Sequence, residues 1–147
     1  MYDERMVTPM RQELTQLGVE EMRTAEEVDA KLKDSKGTTL VVVNSVCGCA
    51  ARNARPAVAR ALQHTVKPDA LTTVFAGQDT QAVQRARSYF TGYSPSSPQI
   101  GLLKDGKVVF MLERHQIEGR TSGEIADDLV GAFDKYCETS MSAQPAN

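Results

Sequence analysis

The stretch from Thr38 to Val46 limits the possible folds more than any other part of the chain. Thr38-Thr39-Leu40-Val41-Val42-Val43 places β-branched and apolar residues on successive positions, without the alternation of a strand that has one wet face. Such a strand has to be covered on both sides, which calls for a sheet with helices on each face. The run breaks at Asn44-Ser45, and Val46 leads into Cys47-Gly48-Cys49. Beyond them, Ala50-Ala51-Arg52-Asn53-Ala54-Arg55 is rich in helix formers. Both cysteines therefore fall where a buried strand passes into a helix N-terminus, the edge of an α/β sheet where ligands and chemistry collect.

Electrostatics gives that position a consequence. Thiolate, not thiol, is the nucleophile in disulfide exchange, and a free cysteine of pKa ~8.5 supplies little of it at neutral pH. Unpaired amides and the macrodipole at a helix N-terminus favour the anion. Cys47, first of the pair, is then the attacking thiol and Cys49 the resolving one. A Cys-x-Cys disulfide must bring its two α-carbons to within roughly 7 Å on a bent backbone, so a labile bond is expected, with Gly48 easing the bend. Two other chemistries share these residues. Two thiols can hold a soft metal, for which the further donors would be Cys137, His64 and His115, scattered through the sequence. Cys49-x5-Arg55 matches a phosphate loop by count, but the intervening residues have helical rather than glycine-rich composition.

Around this centre the chain punctuates itself clearly. Thr8-Pro9 is expected to open an N-terminal amphipathic helix that Gly18 ends, and Val19 to Arg23 is expected to form a short edge strand anchored by Val19 and Met22. Thr24-Ala25-Glu26-Glu27 and Thr121-Ser122-Gly123-Glu124 read as capping boxes, the second starting a last helix with Ile125, Leu129 and Phe133 inward. A helix from about 50 to 65 should be kinked at Pro56. Leu71–Ala76 reads as a second buried strand, followed by a helix with Val83, Ala86 and Phe90 inward. Gln99–Leu103 and Val108–Leu112 flank Asp105-Gly106, the signal of a hairpin, while Glu113–Arg120 reads as a polar connection. After the first helix the order is β-α-β-α-β-α-β-β-α. That order predicts an α/β fold with a mixed sheet, in one domain over residues 1–138 with a frayed polar tail over 139–147.

A net charge of −2 over 147 residues leaves no footprint for nucleic acid or an anionic membrane. The first residues lack an apolar leader and no run approaches a membrane span, so a cytosolic protein is expected, where paired cysteines read as redox or metal sites rather than a disulfide framework, and an odd count of three argues the same way. Nothing in the sequence sets an oligomeric state.

Five segments carry a more specific likeness: Val43 to Ala51, Ala54-Arg55-Pro56, Val74 to Asp79, Tyr89 to Gly92 with Pro95 to Pro98, and Arg114-His115 with Ile117-Glu118-Gly119. In this order they resemble the bacilliredoxin family, over roughly Met6 to Cys137. The resemblance implies a thioredoxin-like three-layer α/β/α sandwich with an extra N-terminal helix. It also implies a thiol-disulfide oxidoreductase that removes bacillithiol from mixed disulfides on client proteins. Cys47 and Cys49 would be catalytic, Gly48, Ser97 and Pro98 would face the substrate, and Pro98 would be the cis-proline beside the dithiol. Bacillithiol would be a co-substrate, with no tightly bound cofactor and no metal. Isomerase-like activity and a metal-binding module are the alternatives, and no role is implied for Arg114, His115 or Cys137.

Overall fold

A computed structural model describes residues 1–137, so the expected tail lies outside the described residues. In chain order the elements are α1 (Glu4–Thr15), β1 (Glu20–Glu21), α2 (Ala25–Leu32) and β2 (Thr38–Asn44). A π-helical turn (Ala50–Ala54) then runs into α3 (Arg55–Ala61), followed by β3 (Ala70–Phe75) and α4 (Thr80–Arg87). The chain continues as β4 (Gln99–Lys104), β5 (Lys107–Leu112), the short α5 (Arg114–Ile117) and α6 (Ser122–Tyr136). The strands lie in the order β1-β3-β2-β4-β5. β1, β3 and β2 are parallel, whereas β4 is antiparallel to both β2 and β5.

All seven residues of β2 are buried, as its composition demands. Leu40 and Val42 join Ile100 and Leu102 of β4 under α3 and α6, with Leu14 of α1 at the same face. Val41 and Val43 turn the other way, to Val28, Val83, Ala86 and Phe90 of the α2 and α4 layer. The sheet is thus covered twice, which makes the fold an α/β/α sandwich. Among the described residues no helix is long and apolar enough to cross a membrane.

Both expected capping boxes form, Thr24 with Glu27 and Thr121 with Glu124. The hairpin turn has φ of 50° at Asp105 and 82° at Gly106, the two left-handed residues that a type I′ turn needs. Val19 and Met22 are buried beside a β1 shorter than expected.

Several boundaries differ. α1 starts at an Asp3 cap, so Thr8 lies inside it, donating from its hydroxyl to the Glu4 carbonyl. Strand β2 stops at Asn44 rather than Val46, β3 spans 70–75, and the helices after each end earlier than expected, at Ala61 and Arg87. At Pro56 the helical path changes: the preceding turn widens, Arg55 N donating to Ala50 O five residues back, and Pro56 takes the first turn of α3, where its missing amide costs little. The connection from Glu113 to Arg120 contains α5, which the sequence did not predict.

Candidate functional site

The end of β2 needs partners for backbone groups that no longer have a neighbouring strand. Arg55, 2% exposed, supplies them. Its Nη1 donates to Asn44 Oδ1 at 2.9 Å and to the Ser45 carbonyl at 2.8 Å, and its Nε pairs with Glu13 at 2.9 Å. Asn44 Oδ1 also accepts from Ser45 N at 2.9 Å, and Asn44 Nδ2 donates to Met10 O at 3.3 Å. A guanidinium held in this way cannot cradle a phosphate, so the Cys49-x5-Arg55 spacing has a structural cause.

On this floor stand the cysteines, free thiols like Cys137. The Ser45 hydroxyl donates to Cys47 Sγ at 3.2 Å and accepts from Cys47 N at 3.3 Å. Partial burial opposes ionisation of Cys47, but the Ser45 hydroxyl, the Ala50 and Cys49 amides and the charge of Arg114 outweigh it, so the thiol pKa is lowered. Cys49 goes the other way. Burial, the charges of Cys47 and Glu118, and a hydrogen bond to Cys47 raise its pKa, with Arg114 in partial opposition. Its Sγ lies 3.6 Å from Glu118 Oε2. Gly48 is exposed and its φ is outside the left-handed region. A Cβ there would stand 2.8 Å from Arg52 Nη2, so the residue leaves room for that guanidinium to lie over the turn.

The loop before β4 forms the opposite wall. Its Ser97-Pro98 bond is cis. β2 and β4 pair as far as Val43 with Gln99, so Pro98 immediately precedes the last paired residue of β4, at the end of β2 that leads to the cysteines. Arg114 joins this loop to the thiols. Its backbone N donates to Ser96 Oγ at 3.3 Å, its Nη1 donates to the Ser97 carbonyl at 3.2 Å, and its Nη2 lies 3.5 Å from Glu118.

The structure therefore gathers Cys47, Gly48, Cys49, Ser97 and Pro98 at one edge of the sheet, with Ser45, Arg114 and Glu118 added. Sequence reasoning left the role of Arg114 open, because 113–120 read as a polar connection after the hairpin. The missed signal was Glu113-x-x-Gln116, a capping box in which Glu stands where Ser or Thr is usual. The His64 ring is hydrogen-bonded to Asp134 at 2.8 Å, and His115 is exposed. Cys137 caps the C-terminus of α6, packed against the core near Thr38 at the start of β2, and burial pushes its thiol pKa up. Among the described residues no three of His, Cys, Asp and Glu group as metal ligands.

A family described as "Disulphide isomerase" matches residues 2–137. A bacilliredoxin of Koribacter versatilis is 54% identical over 98% of this chain and 99% of its own length. Bacilliredoxins of Staphylococcus aureus strains are 54% identical over 94% of each chain. The chain belongs to the bacilliredoxin family. Solved structures agree on the fold alone: a putative oxidoreductase with a thioredoxin fold superposes at a TM-score of 0.59 with 16% identity, over 78% of this chain and 95% of that one. A thioredoxin of Malassezia sympodialis gives 0.54 with 12% identity, over 80% and 90%. This bacilliredoxin-family chain is thus a thiol oxidoreductase on a thioredoxin-like scaffold.

Proposed function

We propose that the protein removes bacillithiol from mixed disulfides on client proteins, with Cys47 as nucleophile. The observation that carries this is the asymmetry of the pair: the Ser45 hydroxyl donates to Cys47 Sγ at 3.2 Å while the Glu118 carboxylate lies 3.6 Å from Cys49 Sγ, which lowers the pKa of the first thiol and raises that of the second. The Cys47 thiolate attacks the bacillithiol sulfur of the mixed disulfide, and the client leaves as a thiolate that takes a proton from water. Cys47 now carries the bacillithiol. Either Cys49 displaces it, giving a Cys47–Cys49 disulfide and free bacillithiol, or a second bacillithiol does so, leaving Cys47 reduced and bacillithiol as its disulfide. Gly48, Ser97 and Pro98 form the rim on which the client chain rests, an extended segment lying against the backbone before the proline. A reducing cytosol supplies the thiols that reset the site.

Mass spectrometry of a bacillithiolated client mixed with the protein tests this. The wild type should strip the client, Cys47→Ala should not, and Cys49→Ala should strip it once and accumulate a Cys47 adduct. An adduct on Cys49 in the Cys47→Ala variant, formed at the wild-type rate, overturns the assignment. The description of the matching family raises isomerase activity as the alternative. Renaturation of a scrambled-disulfide protein, without action on the bacillithiolated client, would favour it.

A further inference from the structure

We infer that Glu118 holds Cys49 back as a resolving thiol, and so sets how long a mixed disulfide on Cys47 lasts before Cys49 displaces it. The inference deepens the proposed function and rests on Cys47 taking up a small thiol.

The backbone of Glu118 is held in place, and its exposed side chain lies between Cys49 and Arg114. The residue follows α5, its N–H donates to the Arg114 carbonyl at 2.8 Å, and the neighbouring Ile117 is fully buried. Asn53, on the helical turn that follows the dithiol, donates from Nδ2 to the Ile117 carbonyl at 3.4 Å and also to the Arg120 carbonyl. The segment that carries Glu118 is thereby clamped to the segment that carries Cys49. The carboxylate then lies 3.6 Å from the Cys49 sulfur. At that distance a protonated thiol donates a hydrogen bond to the carboxylate, and an ionised one meets a like charge.

In the reduced protein Cys47 and Glu118 oppose the ionisation of Cys49 and Arg114 favours it, while the Arg52 guanidinium lies over the intervening glycine. Capture of a small thiol by Cys47 converts its thiolate into a neutral disulfide sulfur. The charge of Cys47 is gone, and Glu118 remains. Resolution then requires Cys49 to release its proton to solvent and attack the Cys47 sulfur. The Cys47–Cys49 bond forms, the bond from Cys47 to the small thiol breaks, and the departing thiolate takes up a proton. By keeping Cys49 protonated, Glu118 lengthens the interval in which a second small thiol can reach the adduct, and shifts turnover toward the route that uses Cys47 alone.

Stopped-flow reaction with an aromatic disulfide whose thiolate absorbs visible light separates the steps without any bacillithiol. The first burst reports attack by Cys47 and the second reports displacement by Cys49, which Cys49→Ala must lack. Glu118→Gln should speed the second burst about fivefold at pH 7, the factor one carboxylate exerts at ~4 Å through water. Its pH midpoint should fall, the first burst should move less, and Glu118→Asp should restore wild-type behaviour. A second burst that is unchanged or slower in Glu118→Gln overturns the inference, the slower case making Glu118 a base. Failure on bacillithiolated client with an intact second burst would count against the proposed function instead.

Discussion

Arg11 and Arg114 stand at the same end of the sheet, and their surroundings are opposite. Arg11 has a side chain 5% exposed that meets Glu4, Glu21 and Asp79, each at 2.7 Å, and its guanidinium lies 5.2 Å from the Phe75 ring centroid. Arg114 is 45% exposed, with one carboxylate at 3.5 Å and a carbonyl at 3.2 Å. Three carboxylates surround the first guanidinium, so its charge is spent on holding α1 to β1 and to the turn after β3. The second keeps its charge within reach of two sulfurs. A cation that tunes chemistry must be left underpaired, and the cost of leaving it so is small only where water still reaches it.

The largest test of this contrast is Arg11→Ala. It takes the guanidinium from Asp79 and leaves Glu4 and Glu21 with Arg23 as their ion-pair partner, and should cost about 3 kcal/mol, lowering Tm by roughly 10 °C in thermal unfolding. The pH midpoint of Cys47 alkylation should not move. A variant with unaltered Tm would show that Arg11 fastens nothing.

Arg55→Leu falls between the two arginines, because Arg55 is buried yet braces the strand end below Cys47. Loss of its donors to Asn44 and Ser45 should cost about 2 kcal/mol in urea unfolding. Alkylation of Cys47 should also slow as Ser45 loosens. Stability loss with wild-type alkylation would place Arg55 with Arg11 alone.

Arg114→Gln should leave Tm within about 1 °C, as expected for an exposed pair. Since Arg114 favours the Cys47 thiolate, its removal raises the Cys47 pKa and lowers the thiolate fraction at neutral pH. Iodoacetamide should then react about fivefold more slowly at pH 7, with the deficit vanishing at a pH where both thiols are ionised. Molar salt should shrink it as well. Equal rates at neutral pH would sink the contrast.

The smallest effect expected is in acid. Hydrogen bonds from Arg11 and Gln78 hold Glu4 down to about 2, from an ordinary value of 4.5. Its folded pKa is the lower one, so its contribution is complete above 4.5 and disappears as pH falls through about 2. Urea midpoints measured across that window should decline less steeply in Glu4→Gln than in the wild type.

Much of this was written in local pattern. A run from Thr38 to Val43 that is β-branched and lacks polar alternation reads as a strand covered on both faces, and it is one. Thr24 with Glu27, Thr121 with Glu124, and Asp105-Gly106 act over two to four residues, so their outcomes hardly depend on the rest of the molecule. The placement of two cysteines at the strand's end follows from the same short-range logic. Tertiary structure decided which polar groups surround them. Nothing near Cys49 in sequence announces a carboxylate sixty-nine positions away, and Arg114 and Glu118 come to the thiols only because α5 docks through Ile117 and Asn53. Arg11, Arg55 and Arg114 look alike in a sequence, since a charge acts through space on whatever packing brings near it, and the number of carboxylates each one meets is settled by long-range packing.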